Sequence, residues 1–151
     1  MTDALDTYDT AILKTISSEG RITVTDLSER INLSKSPTQT RLRRLEKDGY
    51  IRGYTAQLNP VKLGLAHIAF VEVKLDDTRE AALRAFNEGV LTVPEIEQCH
   101  LIAGKFDYLL KIRTTDMISY RRVLGENISA LPHVAQTSTH VVMEAVKEDA
   151  L

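Results

Sequence analysis

The stretch Thr23–Tyr54 reads TVTDLSERINLSKSPTQTRLRRLEKDGYIRGY. Thr23 is a residue type that caps helix N-termini, and it precedes an apolar, helically spaced segment. Ser34 is a second such cap, at the end of a short turn, and it opens a helix from Lys35 to about Asp48. Pro37 falls in the first turn of that helix, where its missing N–H does no harm. The stretch therefore predicts two short helices joined by a tight turn.

A further helix is predicted upstream. Asp6 is placed to cap it, Asp9 falls in its first turn, and Gly20 follows its end. After the basic helix, residues 50–58 alternate loosely, which predicts a short two-stranded wing. Three helices with a tight turn before the third are typical of a winged helix-turn-helix. The upstream helix is indicated by apolar residues at Leu5, Tyr8, Ile12, Leu13 and Ile16.

Positive charge is concentrated in the third helix and its flank. Residues 1–60 hold nine Lys/Arg against eight Asp/Glu, whereas residues 61–151 hold ten against thirteen. A local basic cluster on an acidic chain is expected of a small nucleic-acid footprint. The alternative is a solvated helix face. The basic residues of this segment are Lys35, Arg41, Arg43, Arg44, Lys47 and Arg52.

The third helix is the predicted DNA-reading element, because a major groove accommodates one helix and the preceding helix braces it. Polar residues on its first turns are expected to meet base edges, and its arginines to meet guanines or phosphates. Tri-helical cores also occur in protein-binding modules, so that alternative stays open. The predicted DNA-binding residues are Lys35, Ser36, Thr38, Gln39, Arg41, Arg43, Arg44 and Arg52.

The character of the chain changes after residue 60. Strands and helices follow in the order βαββαβ, the ferredoxin-like pattern. The strand at 67–75 is apolar on both faces near its centre, which predicts a sheet covered on both sides. The predicted fold is α+β, with an N-terminal winged helix-turn-helix (residues 1–60), a linker (61–66) and a C-terminal ferredoxin-like domain (67–151).

Composition excludes several classes of protein. A chain of 151 residues with 43% hydrophobic and 26% charged residues is typical of a globular protein. Its apolar runs are shorter than the ~20 residues that a membrane span needs, and its acidic N-terminus is unlike a targeting peptide, so we expect a cytoplasmic protein. The single cysteine, Cys99, excludes an internal disulfide.

Catalytic and metal chemistry are not indicated. Cys99 and His100 are adjacent in a predicted strand, so their side chains point to opposite faces. The four histidines lack ligand spacing. We therefore expect no catalytic residues, no metal site, no cofactor and no enzymatic activity.

Taken together, the motifs resemble the leucine-responsive/asparagine-responsive (Lrp/AsnC) regulator family, and within it the activators of proline dehydrogenase. The resemblance spans nearly the whole chain. It rests on Leu5-Asp6-x-x-Asp9-x-x-Ile12-Leu13, Gly20-Arg21, Asp26-Leu27-Ser28, Leu33-Ser34, Arg41-x-x-Arg44-Leu45-Glu46-x-x-Gly49-Tyr50-Ile51-x-Gly53-Tyr54, Leu58-Asn59-Pro60-x-x-Leu63-Gly64 and Glu97-x-Cys99-His100-x-x-x-Gly104-x-x-Asp107-Tyr108.

The resemblance implies a regulator that binds double-stranded DNA through its N-terminal unit. It further implies a homodimer formed through the sheet of a RAM-type C-terminal domain, commonly assembled to an octamer, that senses a free amino acid between dimers near a Gly-x-x-Asp loop. Gly104 and Asp107 match that loop by motif. With their neighbours and the last strand, the implied effector-binding residues are Ala103, Gly104, Lys105, Phe106, Asp107, Tyr108, Thr137 and Thr139.

The loop also has a physical rationale. Gly104 permits close backbone approach or a positive φ, so that N–H groups meet a carboxylate, and Asp107 can meet an ammonium group. The alternative is that Gly104 makes a turn and Asp107 caps it. The leading hypothesis is a transcription regulator of amino-acid metabolism modulated by an amino acid. The alternatives are a ferredoxin-like small-molecule-binding or enzymatic protein with a tri-helical partner-binding module, and a structural oligomer without effector.

Overall fold

The computed structural model describes residues 4–148, so the predicted outer ends of the two domains, residues 1–3 and 149–151, lie outside the described residues. The described chain forms two compact units, which divide between Leu58 and Asn59. Across this described part, no helix is long and apolar enough to cross a membrane. In chain order, the elements are α1 (Thr7–Ser18), α2 (Val24–Arg30), α3 (Lys35–Lys47), β1 (His67–Leu75), α4 (Glu80–Val90), β2 (Ile96–Leu101), β3 (Tyr108–Thr114), α5 (Met117–Val123) and β4 (Val134–Val141).

The predicted capping residues stand at the helix starts of the N-terminal unit, and those of α1 and α2 make side-chain capping bonds, whereas the Ser34 side chain makes none. Asp6 and Asp9 form a reciprocal capping box at the start of α1. Thr23 caps α2 by accepting a hydrogen bond from Asp26 N, and Gly49 follows α3 with a left-handed φ of 78°. The three helices bury one small core, formed by Ile12, Leu27, Ile31 and Leu45.

The predicted two-stranded wing does not form as paired strands. Between Lys47 and His67 the described chain contains no β-strand, and residues 52–59 are exposed. A two-stranded hairpin is at best marginally stable unless one of its faces is buried. The side chains of this segment are exposed, so it has no such face. It is fastened at its start, where Ile51 N donates to Leu45 O (3.1 Å) and the Tyr54 hydroxyl donates to Glu46 Oε1 (2.7 Å).

The C-terminal unit has the predicted ferredoxin-like topology, a four-stranded sheet in the order β2-β3-β1-β4 with antiparallel pairing throughout. Alternate residues of β1 and β3 face α4 and α5 and form the core, while the intervening residues face away from it. Helices of the described chain cover one face; the predicted cover on the other side is not supplied within residues 4–148. The centre of the core consists of Ala69, Val71, Val73, Phe86, Leu110, Ile112, Tyr120 and Ile128.

One predicted helix departs from its expected form. The helical spacing of Met117, Tyr120 and Leu124 predicts one helix from Met117 to about Ile128 with these three residues inward. In the structure α5 ends at Val123, and a π-helical turn spans Leu124–Ile128. Met117 is 55% exposed at the first position of α5. The wider turn changes the helical phase and places Ile128 in the core.

Candidate functional sites

The orientation of α3 determines which of its side chains are free to read DNA. Thr38 and Leu45 are completely buried on its inner face. On the opposite face four exposed residues recur at spacings of four, three and four positions, so they lie along one side of the helix. We call this set the reading stripe; it consists of Ser36, Thr40, Arg43 and Lys47.

The predicted DNA-binding residues are distributed over both sides of α3. Lys35, Ser36, Arg43 and Arg52 are exposed, and Gln39 is half-buried. Within the described chain, Arg43 has no ion-pair partner. These five side chains are accessible to a nucleic acid, with Ser36 and Arg43 in the reading stripe.

Thr38 belongs to the predicted DNA-binding set, but in the structure its side chain is not accessible to DNA. Its side chain is in the core and its hydroxyl donates to Ser34 O at 2.9 Å. Thr40 and Lys47 lie in the reading stripe but were not in the predicted set. The sequence contained a signal for Thr40, because Thr40 is one helical turn from Ser36 and therefore shares its face.

Arg41 and Arg44 point toward α1. Arg41 Nη1 lies 2.6 Å from Asp6 Oδ2 and 2.9 Å from Asp9 Oδ1, and Arg44 Nη2 lies 2.5 Å from Asp9 Oδ2. Arg41 also lies over the Tyr8 ring, 5.5 Å from its centroid. These four charged residues, Asp6, Asp9, Arg41 and Arg44, form the arginine–aspartate cluster.

Asp9 is the centre of this cluster. Its side chain is 1% exposed, and that burial by itself raises the pKa of the carboxyl. Hydrogen bonds from Arg44, the Asp6 backbone N–H and Arg41 outweigh burial, so the pKa of Asp9 is lowered overall. The same bonds to Asp9 raise the pKa values of both arginines. Asp9 is therefore ionised at neutral pH and fixes two guanidinium groups against α1.

A groove of about 640 Å³ runs beside the cluster, between the N-terminal parts of α1 and α3. Arg41 and Arg44 line it, and so do Ser36 and Thr40 of the reading stripe. The groove is therefore continuous with the surface that is free to approach DNA.

In the C-terminal unit, the loop between β2 and β3 is fastened to β1 by Asp107. Its backbone N–H donates to Val73 O (2.9 Å), and its carbonyl accepts from Ile102 N (2.8 Å). Its carboxylate accepts from Leu75 N at 2.8 Å and lies 3.5 Å from Lys74 Nζ. Asp107 thus closes the loop and ties it to the end of β1.

A small cavity of about 130 Å³ lies next to this loop, on the sheet face away from the core. Three predicted effector residues line it: Lys105, Phe106 and Thr137. Sequence reasoning missed Glu72, which brings a negative charge to the same cavity. Glu72 pairs across strands with Ser138, a register that alternation alone does not reveal. The remaining lining residues are Lys74, Gln136 and Ser138.

The other predicted effector residues lie elsewhere in the unit. Tyr108 is buried, with its ring 4.3 Å from the Phe86 ring, and the Thr139 hydroxyl is hydrogen-bonded to the Tyr120 hydroxyl. Ala103 and Gly104 are exposed in the loop. The φ of Gly104 is not left-handed, and an added Cβ would meet Ile102 Cγ2 at an ordinary 3.5 Å, so its folding does not require glycine.

Cys99 has the properties of a structural residue. It packs against the core from β2, and burial raises the pKa of its thiol to about 11. A thiol that stays protonated at neutral pH is a poor nucleophile. The only cysteine of the chain is therefore unsuited to covalent catalysis.

Comparisons with known proteins assign different roles to the two units. The family described as "Lrp/AsnC ligand binding domain" matches residues 68–151, and "Winged helix-turn-helix DNA-binding" matches residues 5–52. The chain is 59% identical to the proline dehydrogenase transcriptional activator of Rhizobium radiobacter over 150 residues, which cover 99% of this chain and 96% of the relative. It is 46% identical to the leucine-responsive regulatory protein of Klebsiella pneumoniae, with 95% and 88% covered.

A solved structure also superposes closely. It is a transcriptional regulator of Neisseria meningitidis in complex with L-methionine, with a TM-score of 0.90, 32% identity, and 96% and 94% of the two chains covered. These relatives are regulators, and they confirm the predicted resemblance and the absence of an enzymatic role. The chain belongs to the Lrp/AsnC family of DNA-binding transcriptional regulators.

Proposed function

We propose that this protein regulates genes of amino-acid metabolism by binding specific DNA sequences through α3, and that a small amino acid modulates it. The observation that carries the proposal is the reading stripe, an exposed polar and basic face along a helix whose opposite face is buried. A helix with this arrangement fits a major groove. Its Ser36 and Thr40 hydroxyls suit base edges, and Arg43 suits a guanine or a phosphate.

The set of DNA-binding residues is revised accordingly. Thr38 leaves it because its side chain is buried, and Thr40 and Lys47 enter it because they lie in the reading stripe. Arg41 and Arg44 stay in the set, because they lie beside the reading stripe and can contact the DNA backbone. The proposed residues are Lys35, Ser36, Gln39, Thr40, Arg41, Arg43, Arg44, Lys47 and Arg52.

Replacement of Arg43 by alanine tests the DNA-binding surface. We expect roughly ten-fold weaker binding to a promoter fragment and a shallower salt dependence, since one charged contact is lost. The melting temperature should be unchanged, because Arg43 is exposed. Fluorescence anisotropy at several salt concentrations measures the DNA affinity and its salt dependence.

Arg84→Ala is the matched control, because Arg84 is an exposed arginine on α4 of the other unit. Equal losses for the two variants would contradict the assignment of the reading stripe. If the wild-type protein showed no salt-dependent DNA affinity at all, the partner-binding alternative would replace the proposed function.

The effector proposal is supported by the chemistry of the cavity beside the loop. A free amino acid carries an ammonium and a carboxylate group, and this cavity presents Glu72 together with Lys105 and Lys74. Phe106 supplies an apolar wall for a side chain. The related Neisseria regulator is in complex with L-methionine, which supports an amino acid as the class of ligand. Ala103, Gly104 and Thr137 remain proposed neighbours of the ligand. Thr139 leaves the set, because its hydroxyl is hydrogen-bonded to the Tyr120 hydroxyl on the core side of the sheet.

A thermal-shift screen with the twenty common amino acids tests this site. A ligand that binds the native state stabilises it by about 2.7 kcal/mol at a hundred times its Kd, so we expect a clear rise in melting temperature with at least one amino acid. Phe106→Ala should abolish that rise, whereas Leu91→Ala, at an exposed apolar residue at the end of α4, should retain it. A wild-type protein that responds to none of the amino acids would favour a structural oligomer without effector.

We also propose that the protein acts as a homodimer that assembles further, commonly to an octamer, with residues 61–66 as the linker. The sheet face away from α4 and α5 carries half-buried Phe70 and Leu109, which suit a second copy. Two-fold symmetry then predicts half-sites separated by a helical turn of DNA or a multiple of it. A regulator of chromosomal genes acts in the cytoplasm, which is the proposed location.

A further inference from the structure

We propose that the groove between α1 and α3 is a binding site for a DNA backbone phosphate, and that Asp6 occupies the place of that phosphate on Arg41 in the free protein. The inference rests on the proposed DNA binding and adds that the Asp6 carboxylate competes with the DNA phosphate for Arg41. Asp6 would then set DNA affinity without touching a base.

The two aspartates of the arginine–aspartate cluster have different surroundings. Asp9 is buried and accepts hydrogen bonds from both arginines and from the Asp6 backbone, so it is a permanent anchor. The Asp6 side chain is 46% exposed. Its Oδ1 caps α1 by accepting from Asp9 N at 2.9 Å, and its Oδ2 contacts Arg41 Nη1 at 2.6 Å. Asp6 can therefore keep its capping bond while an incoming anion takes over the guanidinium.

The arginines retain donors for such an anion. Arg41 and Arg44 are 28% and 37% exposed, and their bonds to the aspartates use Nη1 of Arg41 and Nη2 of Arg44. Each guanidinium carries five N–H donors, and phosphate is a preferred bidentate ligand of arginine. Because Asp9 fixes one edge of each group, the remaining N–H groups are pre-oriented for a phosphate.

The position of the groove fits a DNA strand. Ser36 and Thr40 of the reading stripe line it together with Arg41 and Arg44. A helix lying in the major groove is flanked by the phosphates of the groove edge, so a backbone phosphate beside the stripe would meet this groove. The Asp6 carboxylate repels that phosphate and competes for Arg41 until it is displaced.

Asp6→Asn separates the competing charge from the helix cap. Asparagine caps helices about as well as aspartate, so α1 should persist. An exposed ion pair contributes about 0.2–1 kcal/mol, and its removal should therefore strengthen DNA binding by about 1.4- to five-fold. The slope of log affinity against log salt should also become steeper by about one phosphate contact. Anisotropy titrations over a salt series measure both, and circular dichroism melts monitor the fold.

Asp26→Asn is the matched control. Asp26 is an exposed aspartate in the first turn of α2, paired with the Thr23 hydroxyl rather than with an arginine. It changes the net charge equally, and we expect a smaller gain without a change in salt slope. In an Arg41→Ala background, Asp6→Asn should give no gain over the control, because the contested guanidinium is absent.

Equal gains for Asp6→Asn and Asp26→Asn, with parallel salt slopes, would overturn the inference while leaving the DNA-binding function intact. Absence of wild-type DNA binding would instead overturn the proposed function itself. If Asp6→Asn melts at a lower temperature than the wild type, Asp6→Ser, which also caps well, repeats the comparison with the same expected gain.

Discussion

Replacement of Asp9 by asparagine is expected to lower the free energy of unfolding of the N-terminal unit by about 2–3 kcal/mol, because charge-assisted hydrogen bonds are lost and two guanidinium groups lose their common anion. Asp9 is 1% exposed and bonds to Arg41 and Arg44 of α3. Both arginines would lose their orientation, so DNA affinity should fall by roughly ten-fold as well.

Urea unfolding followed by circular dichroism measures the loss of stability, and anisotropy measures the loss of DNA affinity. Glu29→Gln, at an exposed residue of α2, removes one negative charge at the surface and should leave the stability unchanged without lowering the DNA affinity. A variant with asparagine at position 9 that unfolds at the wild-type urea concentration would contradict the anchoring role of Asp9.

The effect of Asp9→Asn should depend on pH. The folded state lowers the pKa of Asp9 below its ordinary value. A group with a depressed folded-state pKa contributes stability in full above its unfolded pKa, about 4, and loses that contribution as the pH falls through the folded pKa. The difference in stability between wild type and variant should therefore be constant at neutral pH and shrink in acid. A difference that stayed constant into strong acid would show that packing, rather than the charge, stabilises the unit.

Local chemistry made the helix starts of the N-terminal unit predictable. Asp6, Thr23 and Ser34 each occupy the N-cap that the sequence indicated. Caps act within one helical turn, so neighbouring residues suffice to identify them. The ion-pair partners of the arginine side chains were harder to predict, because Arg44 pairs with Asp9, which lies 35 positions earlier in the chain. The sequence-based prediction assigned Lys35, Arg41, Arg43 and Arg44 of α3 to DNA, whereas Arg41 and Arg44 contact α1.

The Thr38 error had a different cause. Placing all early polar residues of α3 against DNA ignored the phase of the helix, in which Thr38 shares the face of Leu45. In the C-terminal unit, the loop motif led to Lys105 and Phe106, but Glu72 and Gln136 reach the cavity through the β1–β4 register. The pairing register of distant strands and the π-helical turn after α5 both depend on tertiary packing. Local patterns in one sequence do not reveal that packing.

Asp107 is expected to be a positioning residue of the proposed effector site rather than the ligand of the ammonium group. Its carboxylate already meets Leu75 N and Lys74, and its side chain is 15% exposed. Asp107→Ala leaves the Leu75 N–H without its acceptor, which should cost the C-terminal unit about 1–3 kcal/mol. It should also release the loop that carries Lys105 and Phe106, and thereby abolish the response to the effector.

Asp107→Asn distinguishes the two roles, because the amide oxygen still accepts from Leu75 N while the negative charge is gone. If Asp107 holds the loop, the asparagine variant should recover most of the stability and most of the effector-induced rise in melting temperature. Glu72 would then be the anion for the ammonium group, and Glu72→Gln should weaken the response without loosening the loop. An Asp107→Asn protein as stable as the wild type but without any response would assign the Asp107 carboxylate to the ligand itself. The comparison therefore separates geometry from charge at the one loop residue for which both explanations are chemically reasonable.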